Sequence, residues 1–173
     1  MKINNRVSSI LFVVLIGLVL SACGPTVSEE TVNVDMKLVG DMLFEGANSL
    51  QYSGDNQLAE IAKDLGVGSE SIRGVNISAV SIELNEYSRP LTESLLLQVV
   101  SDNQELKTIG TLSPLPEGSI FKLSLAEDTS ILDYLNDSGM TWVLDLNLNE
   151  DHMDEMEVAG KLSLNVEYNA NQN

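Results

Sequence analysis

The sequence predicts a mainly β fold: an antiparallel β-sandwich of about seven strands with two short helices, or, as the alternative, a small β-barrel. Three features carry this expectation. Apolar and polar residues alternate at period two in several segments, the mark of strands with one dry face. Helical spacing occurs in two short stretches, each stopped by a glycine. Turn residues recur between the segments without an internal repeat, as expected for sequential antiparallel connections in a sandwich or barrel.

In chain order, Val32, Val34, Met36 and Leu38 alternate with Asn33, Asp35 and Lys37, which predicts a strand ending at Gly40 and Asp41. Met42, Leu43 and Phe44 are expected to touch the core, and residues 49 to 52 to form a short edge strand. Asp55 reads as the N-cap of a helix whose inner face is Leu58, Ile61, Ala62 and Leu65, with Gly66 as its stop. Residues 66 to 71 (GVGSES) begin like a dinucleotide-binding loop, but the third glycine is missing and a helix precedes it, so that reading fails. From 71 to 84 the dry face changes phase, from Val75 and Ile77 to Val80, Ile82 and Leu84; a bulge near Ala79 accounts for the change.

Arg89 and Pro90 make a turn, after which the apolar run 94 to 100 (SLLLQVV) suits a central strand covered on both faces. Asp102 and Asn103 turn the chain into a hairpin partner at 106 to 112. Pro114 and Pro116 interrupt the pattern, and Phe121, Leu123 and Leu125 resume it. A second helix follows, capped by Asp128 or Thr129, with Ile131, Leu132 and Leu135 inward and Gly139 at its end. Trp142, Leu144, Leu146 and Leu148 alternate, as do Val158, Gly160, Leu162, Leu164, Val166 and Tyr168. Two phased segments joined by one loop predict a closing antiparallel hairpin.

The first residues have a different character. Lys2 and Arg6 precede an apolar run from 10 to 20 (ILFVVLIGLVL), and small residues follow before Cys23, the single cysteine. A positive end, a short apolar middle and a small-residue site form the three-part pattern of an export signal. The run is shorter than the ~20 residues that span a bilayer. Leu20-Ser21-Ala22-Cys23 resembles the lipobox of bacterial lipoproteins. That resemblance implies a signal peptide over 1–22, cleaved before Cys23, and lipidation of Cys23, with palmitate-type acyl chains as a lipid anchor. Each buried methylene contributes about 0.8 kcal/mol, so more than one chain anchors stably. It also implies a cell-envelope location: the outer membrane in a Gram-negative cell, since Gly24 rather than Asp follows the cysteine, or the outer face of the plasma membrane in a Gram-positive one. The order of elements late in the chain, a Leu-rich helix ending in glycine and then a strand pair, is similar to small β-sandwich lipoproteins that belong to no named family.

By this reading, 23–31 form a flexible tether, 32–169 the sandwich domain and 170–173 a disordered tail. The 151 residues left after cleavage suit one domain with one core. They carry 7 basic and 26 acidic residues, a net charge of −19, which repels nucleic acid and anionic headgroups. With Cys23 at the signal junction, the domain has no thiolate nucleophile and no disulfide.

Residues 149 to 157 (NEDHMDEME) hold five carboxylates and the only histidine, His152. Asp151, Asp154, Glu155 and Glu157 are the candidate metal ligands, with Ca²⁺ as the cofactor they would hold, since Ca²⁺ takes six to eight oxygens. The spacing departs from the twelve-residue calcium loop, which has a central glycine. A charge-rich hairpin tip that keeps an edge from pairing is the other reading, with His152 solvated. No nucleophile elbow is present, and a zinc enzyme needs more than one histidine, so no catalytic residue is assigned. Trp142 lies in phase with Leu144 and reads as core rather than as a sugar platform. The expected function is therefore a lipid-anchored, non-catalytic binding or structural module for another envelope protein. The alternatives are a Ca²⁺- or glycan-dependent surface binder through 149–157 and a carboxylate-based hydrolase.

Overall fold

The computed structural model describes residues 26–170. The segment expected to be an export signal, Cys23 and residues 171–173 lie outside them. Within them the elements are β1 (Val27–Gly40), β2 (Gly46–Ser53), α1 (Gln57–Leu65), a 3₁₀ turn (Ser69–Ser71), β3 (Ile72–Glu83), α2 (Ser88–Leu91), β4 (Thr92–Val100), β5 (Lys107–Leu112), β6 (Ile120–Lys122), β7 (Ser124–Leu125), α3 (Leu132–Leu135), β8 (Thr141–Leu148) and β9 (Met156–Asn169).

The nine strands form one antiparallel sheet in the order β6-β3-β9-β1-β2-β8-β4-β5-β7. Its two ends are almost the same piece of chain, because only Leu123 separates β6 from β7. β6 pairs with β3 through Phe121 and Ile82, and the Leu123 amide donates to Val80 O at 3.1 Å. One residue later Ser124 and Leu125 pair with Thr111 and Gly110 of β5. Gly110 permits this approach: a Cβ there would stand 3.0 Å from Ser124 O. The sheet thus returns on itself and is nearly barrel-shaped. Opposite this seam, β1 and β2 pair at Val39 and Gln51 alone among the described residues. Two multi-stranded halves, joined thinly on each side, share one apolar core, so the sandwich and barrel expectations describe the same object.

Alternation places the core as expected. Val32, Met36 and Leu38 from β1, and Trp142, Leu144, Leu146 and Leu148 from β8, are buried. In β3 the register shifts between Ile77 and Ala79, so the bulge lies where the change of dry face predicts it. Ser78 is the extra residue, and its hydroxyl donates to Ser163 O. Helix α1 buries Leu58, Ile61 and Ala62 and ends at Gly66 in the left-handed region, φ 69°, where the Val67 amide returns to Ala62 O at 2.9 Å.

Several expectations need correction. β8 and β9 do not form a hairpin: β8 lies between β2 and β4, while β9 lies between β1 and β3. β9 is 14 residues long and matches β1 over its whole length, a pairing that the 8-residue β8 does not offer. That same match draws the expected tether into the sheet. β1 starts at Val27, and Glu30 accepts the Tyr168 hydroxyl at 2.7 Å, so order begins inside the 23–31 stretch. β2 is an interior strand rather than an edge. Asn56, at φ 68°, precedes α1 in place of an Asp55 cap, without a side-chain cap bond. In β4, Leu95, Leu97 and Val99 are buried but Leu96 and Val100 are half exposed, so its outer face is not fully covered by the described residues. α3 is a single turn; Asp128 accepts the Ser130 amide ahead of it, and Tyr134 joins Ile131 and Leu135 inside.

Candidate functional site

The end of the barrel reached by the last residues of β1 is built from two loops, 41–45 and 149–155. Leu43 and His152 exchange backbone hydrogen bonds, Leu43 N to His152 O at 2.9 Å and His152 N to Leu43 O at 2.8 Å. This small antiparallel bridge joins the two loops. Leu43 is buried in the core, while its neighbours Met42 and Phe44 turn outward, 62% and 58% exposed, and Met153 beside His152 is 54% exposed. Met42 and Phe44 are exposed and do not touch the core as expected; of the triplet only Leu43 is buried, and Met42 takes a left-handed backbone, φ 50°.

The surrounding bonds hold the arrangement. Asn48 accepts the Phe44 amide at 2.9 Å and donates to Phe44 O. Asp151 accepts the Glu45 amide at 2.8 Å. Asn149 donates from its backbone to Leu91 O and from its side chain to Pro90 O, both at 2.9 Å, which fastens the loop to α2. Beside it runs an open groove of about 210 Å³ between Tyr87 and the segment from His152 to Glu157. Tyr87 is itself largely exposed.

The candidate metal ligands lie at this end, three of the four along the groove. Asp151 faces the 41–45 loop, whereas Asp154, Glu155 and Glu157 all line the groove, Glu157 also reaching across to Lys37 at 2.5 Å. The Glu157 hydrogen bond and charge hold Lys37 above the ordinary lysine value. Among the described residues, no three His, Cys, Asp or Glu side chains are gathered to hold an ion. What the two bridged loops carry instead is three exposed apolar side chains, Met42, Phe44 and Met153, in segments that also hold carboxylates. Their trace in the sequence is the pair of apolar triplet and acidic loop, but which residue of the triplet is buried is a property of the folded loop. Trp142 is fully buried and donates its indole N–H to Gln57, a core role.

No protein-family model and no curated protein matches the chain. Among solved structures, a chain of turnip yellow mosaic virus aligns with a TM-score of 0.31 at 13% identity, over 83% of this chain and 98% of that one. A chain of Desmodium yellow mottle tymovirus aligns with a TM-score of 0.33 at 9% identity, over 88% and 97%. At these scores neither alignment carries an argument about fold or function.

Proposed function

We propose that the protein is a lipid-anchored envelope protein, held at a membrane through Cys23, that acts as a non-catalytic binding module for another envelope protein. The observation that carries the reading is the exposure of Met42, Phe44 and Met153 on the two loops bridged at Leu43 and His152, at the end of β1 opposite its start. β1 has 14 residues, and at about 3.3 Å per residue it sets those loops roughly 40 Å from Val27. An anchor just before Val27 points them away from the membrane. Exposed apolar side chains rimmed by polar ones are the usual signature of a protein-binding surface. The calcium-dependent reading has less support, since Asp151 and Glu157 already engage Glu45 and Lys37.

The test has two arms. In intact cells, Cys23→Ser should move the protein from the membrane fraction to the soluble one. A photo-crosslinking residue at Phe44 should capture one reproducible envelope protein, while the same residue at Glu70, near the other end of the barrel, should not. Equal capture from both positions, or none from Phe44, would reject the assigned surface.

A further inference from the structure

The seam between β1 and β2 leaves one edge of the nearly closed sheet unfilled. β1 has 14 residues, and among the described residues only its Val39 pairs with β2, whereas its other side is matched to β9 throughout. Which residues serve which side follows from two bonds. At the start of the β1–β9 ladder the Ala170 amide donates to Thr26 O at 3.0 Å. Ser163 O, opposite Asn33, instead accepts the Ser78 hydroxyl of β3, also at 3.0 Å. Successive residues of a strand direct their main-chain groups to alternate sides, and an opposed antiparallel pair directs them either toward each other or apart. Even-numbered residues of β1 therefore bond β9, and odd-numbered ones point N–H and C=O to the free side. Val39, an odd-numbered residue, meets β2 there.

Glu29, Thr31, Asn33 and Asp35 thus direct their main-chain donors and acceptors to a side where no described strand receives them, and all four are exposed. An edge of this kind is a template for one more strand. Helix α1 stands off from it: a cleft of about 150 Å³ lies between residues 32 to 35 and the Glu60 and Asp64 side of α1. Val34 alternates in phase with the buried Val32 and Met36, yet it is only half-buried, as is Tyr52 across the cleft. Apolar side chains entering from an added strand would complete the core at this place.

Charge selects the occupant. Glu29 and Asp35 border the edge on β1, and Glu60 and Asp64 border the cleft on α1. The nearby lysines are already matched, Lys161 with Asp35 at 3.6 Å and Lys37 with Glu157. A second copy of this chain, with its formal net charge of −17, would set like charges against one another along the edge. A basic segment instead meets the carboxylates while taking up the main-chain bonds.

We propose that the free edge of β1 receives an extended, basic segment of a partner protein as an added antiparallel strand, with Lys or Arg opposite Glu29 and Asp35 and apolar side chains opposite Val32 and Val34. This edge is separate from the loops that expose Met42, Phe44 and Met153, and each surface stands or falls alone.

A dye-labelled peptide KVTVTSK provides that pattern, running from opposite Asp35 to opposite Glu29. By fluorescence polarisation it should bind the full chain in detergent micelles saturably at physiological salt, where exposed charges more than about 8 Å apart are largely screened. The counterpart EVTVTSE should bind roughly tenfold or more weakly, since like charges then oppose. Methylating the two threonine amides, which face β1 in this register, should weaken binding as much, whereas methylating the two valine amides, which face away, should leave most of it. Asn33→Pro removes a donor from the free side alone and should abolish binding with the melting temperature retained. The peptide comparisons use the wild-type chain and hold whether or not that variant folds. The proposal is overturned by an absence of saturable binding, by equal binding of the acidic peptide, or by equal effects of methylation at threonine and valine. It is also overturned if sedimentation shows a dimer that Asn33→Pro separates, because a second copy then occupies the edge.

Discussion

The indole N–H of Trp142 donates to the side-chain oxygen of Gln57 at 3.1 Å, joining the middle of the sheet to the first turn of α1. Both residues are buried, so the bond has no competing water of its own. Trp142→Phe should leave the Gln57 oxygen unsatisfied, at about 1 to 3 kcal/mol, besides the loss of ring volume. For a domain of this size each kcal/mol lowers the melting temperature by roughly 2 to 4 °C. A fall of about 5 °C or more in thermal unfolding by circular dichroism is the expected outcome. Adding Gln57→Leu should recover part of it, because removing both partners costs less than stranding one.

Gly160 occupies an inward-facing position of β9 with no room for a side chain. A Cβ there would lie 2.8 Å from Met36 Cε and 3.3 Å from both Ile82 Cδ1 and Leu38 Cδ1. Gly160→Val should destabilise by about 1 to 3 kcal/mol through overpacking. Ala159→Val, one residue away on the exposed face, should change stability by no more than about 0.5 kcal/mol. Urea midpoints of the two variants check the contrast.

Asp137 ties the turn after β4 to the turn before β8. Its carboxylate accepts Asn103 Nδ2 at 2.6 Å, the Asn103 amide at 2.7 Å, and the Ser101 hydroxyl at 2.8 Å. These bonds, the Asn103 side chain foremost, hold its pKa down to about 2 from an ordinary 3.8. A depressed carboxyl stabilises the folded state above its unfolded value, and that contribution disappears as pH falls through the folded value. Wild type should therefore lose stability relative to Asp137→Asn between pH 4 and pH 2, with the difference level from pH 5 upward. Melting temperatures of the pair across this range test it.

The acidic loop supplies a ligand prediction. Asp151 and Glu157 are engaged with protein groups, and Asp154, Glu155 and Glu157 line the groove beside His152. Calcium at about 1 mM should raise the melting temperature by less than 1 °C, since a ligand stabilises only in proportion to its occupancy of the folded state. A rise of several degrees, abolished by Asp154→Asn with Glu155→Gln, would restore the calcium reading.

Which residues enter the core was largely legible from alternation, because one-sided burial is a local property of each strand. The runs from Val32 to Leu38, Trp142 to Leu148 and Val158 to Tyr168 show it directly, and the Ile77–Ala79 bulge was visible as a change of phase. Partner choice was not legible. β8 and β9 have the same alternation and a connecting loop, yet each pairs elsewhere, because β9 matches β1 over 14 residues and closure through Leu123 determines which strands remain free. The candidate surfaces divide in the same way. Composition alone marked the acidic loop and the apolar triplet, but only the folded loop buries Leu43 and leaves Met42 and Phe44 exposed. The free side of β1 became distinctive only when the fold matched its other side to β9 and met β2 at Val39 alone. The sequence by itself determined the β periodicity, the charge and the lipobox-like start. Tertiary structure decided the strand order, the seam at β1 and β2, and the two surfaces, because these depend on contacts between residues far apart in the chain that no local pattern encodes.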